Sequence, residues 1–263
     1  MTNDLNPRHN ASFLLYGKTK VGKSSLAATA PGKKLALDAE GSWNAFDGRP
    51  NPNNPGQPYR VTWWDDLSQM PPDMSDYDIC VVDVHRWEAV DQVVNWVIQP
   101  NHPFQSIVMD SVTEVQVRCK KAIQPDMTGL QQQDWGRLLA HMSDRIKRFR
   151  DIVKDPKNPA RCVVFTSEGK LQQDGSYTPQ MEGALRNGIG YWMNTTACLR
   201  TAQVPNADGI IAENSPVVRR LLIKPHPLFT TGSHFEDRFE SNVIENPNLT
   251  EMMGNIFPGF TAE

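Results

Sequence analysis

Eight consecutive residues near the start, Gly17-Lys18-Thr19-Lys20-Val21-Gly22-Lys23-Ser24, limit what this chain can fold into more than any other feature. They satisfy G-x-x-x-x-G-K-[ST] without a gap, a pattern that requires a strand before it and a helix after it. The glycines let the backbone turn its N–H groups inward around an anion, where side chains would obstruct. Residues 12–16 (Ser-Phe-Leu-Leu-Tyr) are a short apolar run that reads as a buried strand feeding the turn. Residues 24–30 are small and helix-favouring, and Pro31-Gly32 stops them. With these flanks the motif is a phosphate-binding loop, so the chain is expected to bind a nucleotide. Lys23 sets a charge against the β- and γ-phosphates, and the Ser24 hydroxyl is placed to complete the shell of Mg²⁺. Gly17 to Ser24 and the following Ser25 are the candidate ATP contacts, and the helix that follows points its positive end at the same anion.

The rest of the chain alternates strand and helix patterns. Apolar strands are expected at 34–38, 59–64, 78–84, 106–110 and 161–166, with helices at 86–99, 111–123 and 134–153. Such alternation implies a mostly parallel central sheet flanked by helices on both faces. In the longest helix Trp135, Leu138, Leu139, Met142, Ile146, Phe149 and Val153 form one stripe, expected to be core. Its opposite face carries Arg137, Asp144, Arg145, Lys147 and Arg148 and reads as solvated. Residues 48–58, rich in proline and asparagine, read as a surface loop, and 167–186 as polar and loop-like. Strands at 195–204 and 217–223, separated by a polar turn, suggest a late antiparallel hairpin. A tail follows, with one short amphipathic piece near 249–256.

Bulk properties exclude several classes. The net charge of −3 supplies no global basic field, so any nucleic-acid contact must come from a local patch or from several subunits together. No apolar stretch is as long as a membrane span, and residues 1–10 lack the apolar core of a signal peptide. A cytoplasmic protein without membrane contact is therefore expected. The four cysteines are far apart and read as buried free thiols, and the six histidines show no metal-ligand spacing.

A phosphate-binding loop works with acids that hold the Mg²⁺ water shell and polarise the attacking water. Asp110 ends an apolar strand (Ile-Val-Met-Asp) and is the favoured metal-side acid; Asp83, after Val-Val, is its rival. Glu40, just beyond the second strand, either acts on water near the γ-phosphate or is a solvated turn residue.

The phosphate loop, Leu-Asp-Ala-Glu-Gly after the second strand, and Ile-Val-Met-Asp-Ser-Val together resemble the RecA-type recombinase core. More closely, the chain is similar to the compact phage RecA-like ATPases of the Sak group, related to single-strand annealing and recombination proteins. The resemblance implies an α/β P-loop NTPase with a RecA-like sheet over residues 1–240 and a C-terminal tail at 241–263. It makes Glu40 the catalytic base beside Lys23, and Asp110 the acid that holds Mg²⁺ through water, next to Ser24. It places Ser167 and Glu168 at a phosphate-sensing position and a DNA-contacting loop at 169–186; it also implies a late cation that reaches across a subunit interface, for which Arg238 is the available residue. The implied function is ATP hydrolysis on single-stranded DNA in phage recombination, annealing or replication, in the host cytoplasm. The implied partners are single-stranded DNA, further copies of the chain, and a single-strand binding protein or another replication protein. The alternative is a nucleotide-dependent switch or scaffold that binds a protein partner without acting on DNA. A small-molecule kinase ranks lowest, because no arginine-rich lid segment is apparent.

Overall fold

The structure, a computed structural model, describes residues 9–126, 129–205, 209–213 and 215–261. In chain order the first half consists of β1 (Ala11–Gly17), α1 (Lys23–Ala27), β2 (Lys34–Asp38), β3 (Val61–Trp63), β4 (Ile79–Asp83), α2 (Trp87–Val97), β5 (Ser106–Asp110) and α3 (Val112–Ile123). The second half continues with α4 (Gln132–Ile152), β6 (Cys162–Leu171), β7 (Tyr177–Pro179), α5 (Leu185–Trp192), β8 (Thr195–Gln203), β9 (Val217–Leu222), β10 (Gly232–Ser233), β11 (Val243–Glu245) and α6 (Leu249–Ile256).

One sheet runs β11-β9-β8-β1-β6-β5-β2-β4-β3, with β10 on β8 and β7 on β6. Its centre, from β8 through β1, β6, β5, β2 and β4 to β3, is parallel, and β9 and β11 add antiparallel strands at one edge. The fold is thus the expected α/β P-loop NTPase architecture with a late antiparallel hairpin. Strands covered on both faces are largely apolar, and successive residues of β1 enter opposite cores. Leu14 joins a cluster with α2, α3, α4 and α5, whereas Phe13 and Leu15 join one with α1, Trp43, Phe46 and α6.

Three sequence expectations need correction. Residues 167–186 are not a loop: β6 continues to Leu171, turns back as β7, and Leu185 starts α5. Gly188 and Gly190 weaken the helical signal of α5; burial of Leu185 and Ile189 against the α4 side of the core holds it. In the α4 stripe Leu138, Met142, Ile146, Phe149 and Val153 are core, but Trp135 is 39% and Leu139 36% exposed. These two line a cavity together with residues 182–184, and Lys120 Nζ sits 5.5 Å from the centre of the Trp135 ring. The segment that the sequence set apart as a tail contributes β11 to the sheet edge and α6 to the core, through Leu249, Met252, Met253 and Ile256.

The four cysteines are free and buried. Burial pushes the Cys80, Cys119 and Cys162 thiols up to about 12 and Cys198 to about 11, and raises Tyr16 and Tyr59 for the same reason. Unfolded thiols titrate near about 8.5, so above that pH the native state keeps protons that the unfolded chain has lost. Their contribution is complete below about 8.5 and is lost as pH rises toward the folded values. Lys34, lowered to about 8 by burial, works in the opposite sense but is one group against four thiols. The melting temperature is therefore expected to fall steadily between pH 8 and pH 10.5. A flat or rising curve would show that the thiols are not held in their neutral form.

Candidate nucleotide site

The strand order brings the C-terminal ends of β1, β6, β5 and β2 together along one edge of the sheet. The phosphate loop follows β1, Ser167-Glu168 lies in β6, Asp110 ends β5 with Ser111 just beyond, and Asp38 ends β2 with Glu40 two residues on. Carboxyl ends of parallel strands are where α/β sheets bind ligands.

Two glycines shape the loop. A Cβ on Gly17 would collide with the Leu199 carbonyl of the adjacent β8, and Gly22 takes φ 102° as the residue before α1. Lys20 also has positive φ, at 60°. The Lys23 ammonium is buried and curls back over the loop, donating to the Gly17 carbonyl at 3.2 Å and the Lys18 carbonyl at 3.0 Å. Thr19 reaches across to β6, its hydroxyl donating to Glu168 at 2.7 Å. Helix α1 spans only five residues, so its dipole adds little and loop N–H groups must do most of the anion binding. Ser24 and Ser25 are half-buried in its first turn.

The acids form a connected group. Asp110 is 1% exposed, and its two carboxylate oxygens accept from Trp43 Nε1 at 2.8 Å and from the Thr166 hydroxyl. Asp38 accepts the backbone N–H groups of Glu40 (3.0 Å), Gly41 (2.8 Å) and Trp43 (2.8 Å), which fixes the turn that presents Glu40. Burial raises the Asp38 pKa, and these three bonds offset part of the rise. Ser111 Oγ donates to Glu40 and accepts from the Glu114 N–H at 3.3 Å, capping α3 while holding the carboxylate. Residue Glu40 is exposed, yet its carboxyl sits low among its neighbours. Lost hydration raises its pKa most; the Ser111 bond lowers it, Asp110 raises it, Lys23 lowers it and Glu168 raises it.

Lys23, Asp110, Ser111 and Glu168 therefore all lie within electrostatic reach of Glu40. Asp83 is exposed, and β2 separates its strand from β5. Arg238 is on the surface beside Asp237, 3.5 Å away. Sequence reasoning missed Asp38, Trp43, Thr166 and Arg219. Asp38 ends its strand just as Asp110 does and could have been found by that likeness. Trp43 and Thr166 gave no local signal, since their partner Asp110 is distant in the chain.

Among the described residues no group of three or more His, Cys, Asp and Glu side chains forms a metal cage. The donor set fits Mg²⁺ held by the Ser24 hydroxyl and nucleotide phosphates, with Asp110 acting through water. Trp43 and Thr166 fix the orientation of the Asp110 carboxylate and leave its remaining lone pairs to accept from such waters. Replacing Trp43 with phenylalanine removes a donor from a buried carboxylate. A denaturant melt should show a loss of about 1–3 kcal/mol. Unchanged stability would mean that water replaces the indole at Asp110.

A family model described as AAA domain matches residues 9–233. No curated protein matches the chain.

Proposed function

The chain belongs to the AAA domain family of P-loop ATPases, and from that premise we propose that it binds ATP with Mg²⁺ and hydrolyses it in the service of single-stranded DNA. The observation that carries the nucleotide half is the grouping of Lys23, Glu40, Asp110 and Ser111 around one phosphate loop. Lys23 neutralises phosphate charge, and Mg²⁺, when bound, polarises the phosphate oxygens. Glu40, fixed by Ser111 and the Asp38 turn, takes a proton from the attacking water. Thr19 ties Glu168 to the loop, so that β6 is set to respond to the γ-phosphate.

The DNA half rests on the resemblance to the phage Sak group of RecA-like proteins and on one surface. Tyr191 of α5 is 87% exposed, and beside it opens a cavity of about 600 Å³ lined also by Arg186, Phe229 and His234. Arg200 lies 5.1 Å from the Phe229 ring. Exposed rings for stacking bases with nearby cations are what single-strand binding uses. Several copies around one strand would compensate for the acidic net charge of each.

The test is the ATP hydrolysis rate with and without single-stranded DNA, at low and physiological salt. Stimulation that weakens with salt supports the reading. A flat response moves the function to a nucleotide-dependent switch with a protein partner, for which exposed Trp135 and Leu139 offer an apolar surface.

A further inference from the structure

We propose that Arg219 of β9 contacts the bound nucleotide in cis, and that the C-terminal segment beyond the AAA domain match holds it there. The proposal rests on the nucleotide reading of the phosphate loop. Arg219 is 198 residues from Val21 in sequence, yet its Nε donates to the Val21 carbonyl at 3.2 Å. Its guanidinium covers Gly22: a Cβ there would lie 2.9 Å from Cζ and 3.1 Å from Nη2. The second glycine of the motif thus leaves room for this arginine as well as for the turn.

Among the described residues no acceptor meets the two terminal amino groups of Arg219. The side chain lines a cavity of about 400 Å³ together with Ser25 of α1. A polyphosphate seated in the loop and continuing past Ser25 enters this cavity next to the free fork. Arg49 is the other cation in the lining and Glu251 the acid. A planar guanidinium with both terminal amino groups unused suits a phosphate group.

The brace comes from residues outside the family match. Asn246, at φ 44°, accepts the Arg219 N–H on its side-chain oxygen at 3.2 Å and returns its own N–H to the Arg219 carbonyl at 2.7 Å. Asparagine tolerates this left-handed backbone better than most residues. Two residues on, the chain is fastened just beyond α1. Leu249 N–H and the Thr250 hydroxyl both bond to Thr29, each at 2.8 Å, and Asn248 Nδ2 donates to Asn53 at 3.0 Å. The segment therefore grips Arg219 and the phosphate-loop helix at once.

The experiment is a calorimetric titration of the full chain with MgATP and MgADP, run for Arg219→Gln, Asn246→Ala and Lys23→Ala. Glutamine keeps an N–H for Val21 and similar bulk but removes the charge. Arg219→Gln should melt like the parent without nucleotide and bind both nucleotides about tenfold more weakly, as expected for a lost charged hydrogen bond. Asn246→Ala should weaken both about threefold, the scale of one neutral hydrogen bond. Parent-like affinity in folded Arg219→Gln, with binding lost in Lys23→Ala, overturns the proposal and leaves the nucleotide reading standing. Parent-like affinity in Lys23→Ala overturns the nucleotide reading, and this proposal with it. If Arg219→Gln does not fold, Asn246→Ala decides: parent-like binding there overturns the brace and the contact it supports.

Discussion

Lys23→Ala should abolish ATP hydrolysis and reduce nucleotide affinity severely, with a rate loss on the order of 10²–10³-fold or more. The Lys23 ammonium is buried within the loop and, among the described residues, bonds to the Gly17 and Lys18 carbonyls; on the proposed reading it meets the phosphate oxygens there. Removing it takes away a buried charge of the loop, and burial in low dielectric makes such a charge count most. The fold should survive, because both bonds are internal to the loop. Calorimetry for affinity and phosphate release for rate check this. A variant that hydrolyses ATP normally would mean that the loop is not the site of chemistry.

The second large effect is expected at Glu40. Glu40→Gln keeps the shape and the ability to meet Ser111 but cannot accept a proton from water. Nucleotide binding should persist while hydrolysis falls about 10²–10⁴-fold, the usual worth of a general base. The pH profile is the sharper readout. Lost hydration and the nearby Asp110 and Glu168 charges raise the Glu40 pKa above the usual carboxylate range, despite the Ser111 bond. A base works only when deprotonated, so the rate should climb with pH through that raised value, and the acid limb should vanish in Glu40→Gln. Parent-like turnover in the variant would remove Glu40 as the base and turn attention to Glu168, which is bonded to the loop through Thr19.

Lys23 is legible in the sequence, since it belongs to a short contiguous signal. The residues alone leave Glu40 open between water activation and a solvated turn, and only the resemblance favours the first. The phosphate loop needs eight adjacent residues, and β2 and β5 are uninterrupted apolar runs bounded as expected, at Lys34–Asp38 and Ser106–Asp110. Even α6 was visible, because four apolar residues recur at helical spacing within eight positions. α5 was not, because its glycines hide a helix that only packing stabilises. The exposed rim of α4 was misjudged for a related reason: periodicity shows which residues share a face, not what that face meets.

The sequence by itself determined the loop, the strands that carry its acids, and so the class of ligand. Local chemistry settles these, because a tight anion turn and a buried parallel strand each demand particular residues in a row. The tertiary structure decided which distant groups gather around the phosphate loop and its acids. Trp43 meets Asp110 across 67 positions, Thr19 meets Glu168 across 149, and Arg219 meets Val21 across 198. Those meetings follow from placing β6 between β1 and β5 and folding β9 and β11 onto the edge beyond β8. Strand order is chosen by burial over the whole chain, and no local pattern of residues carries it.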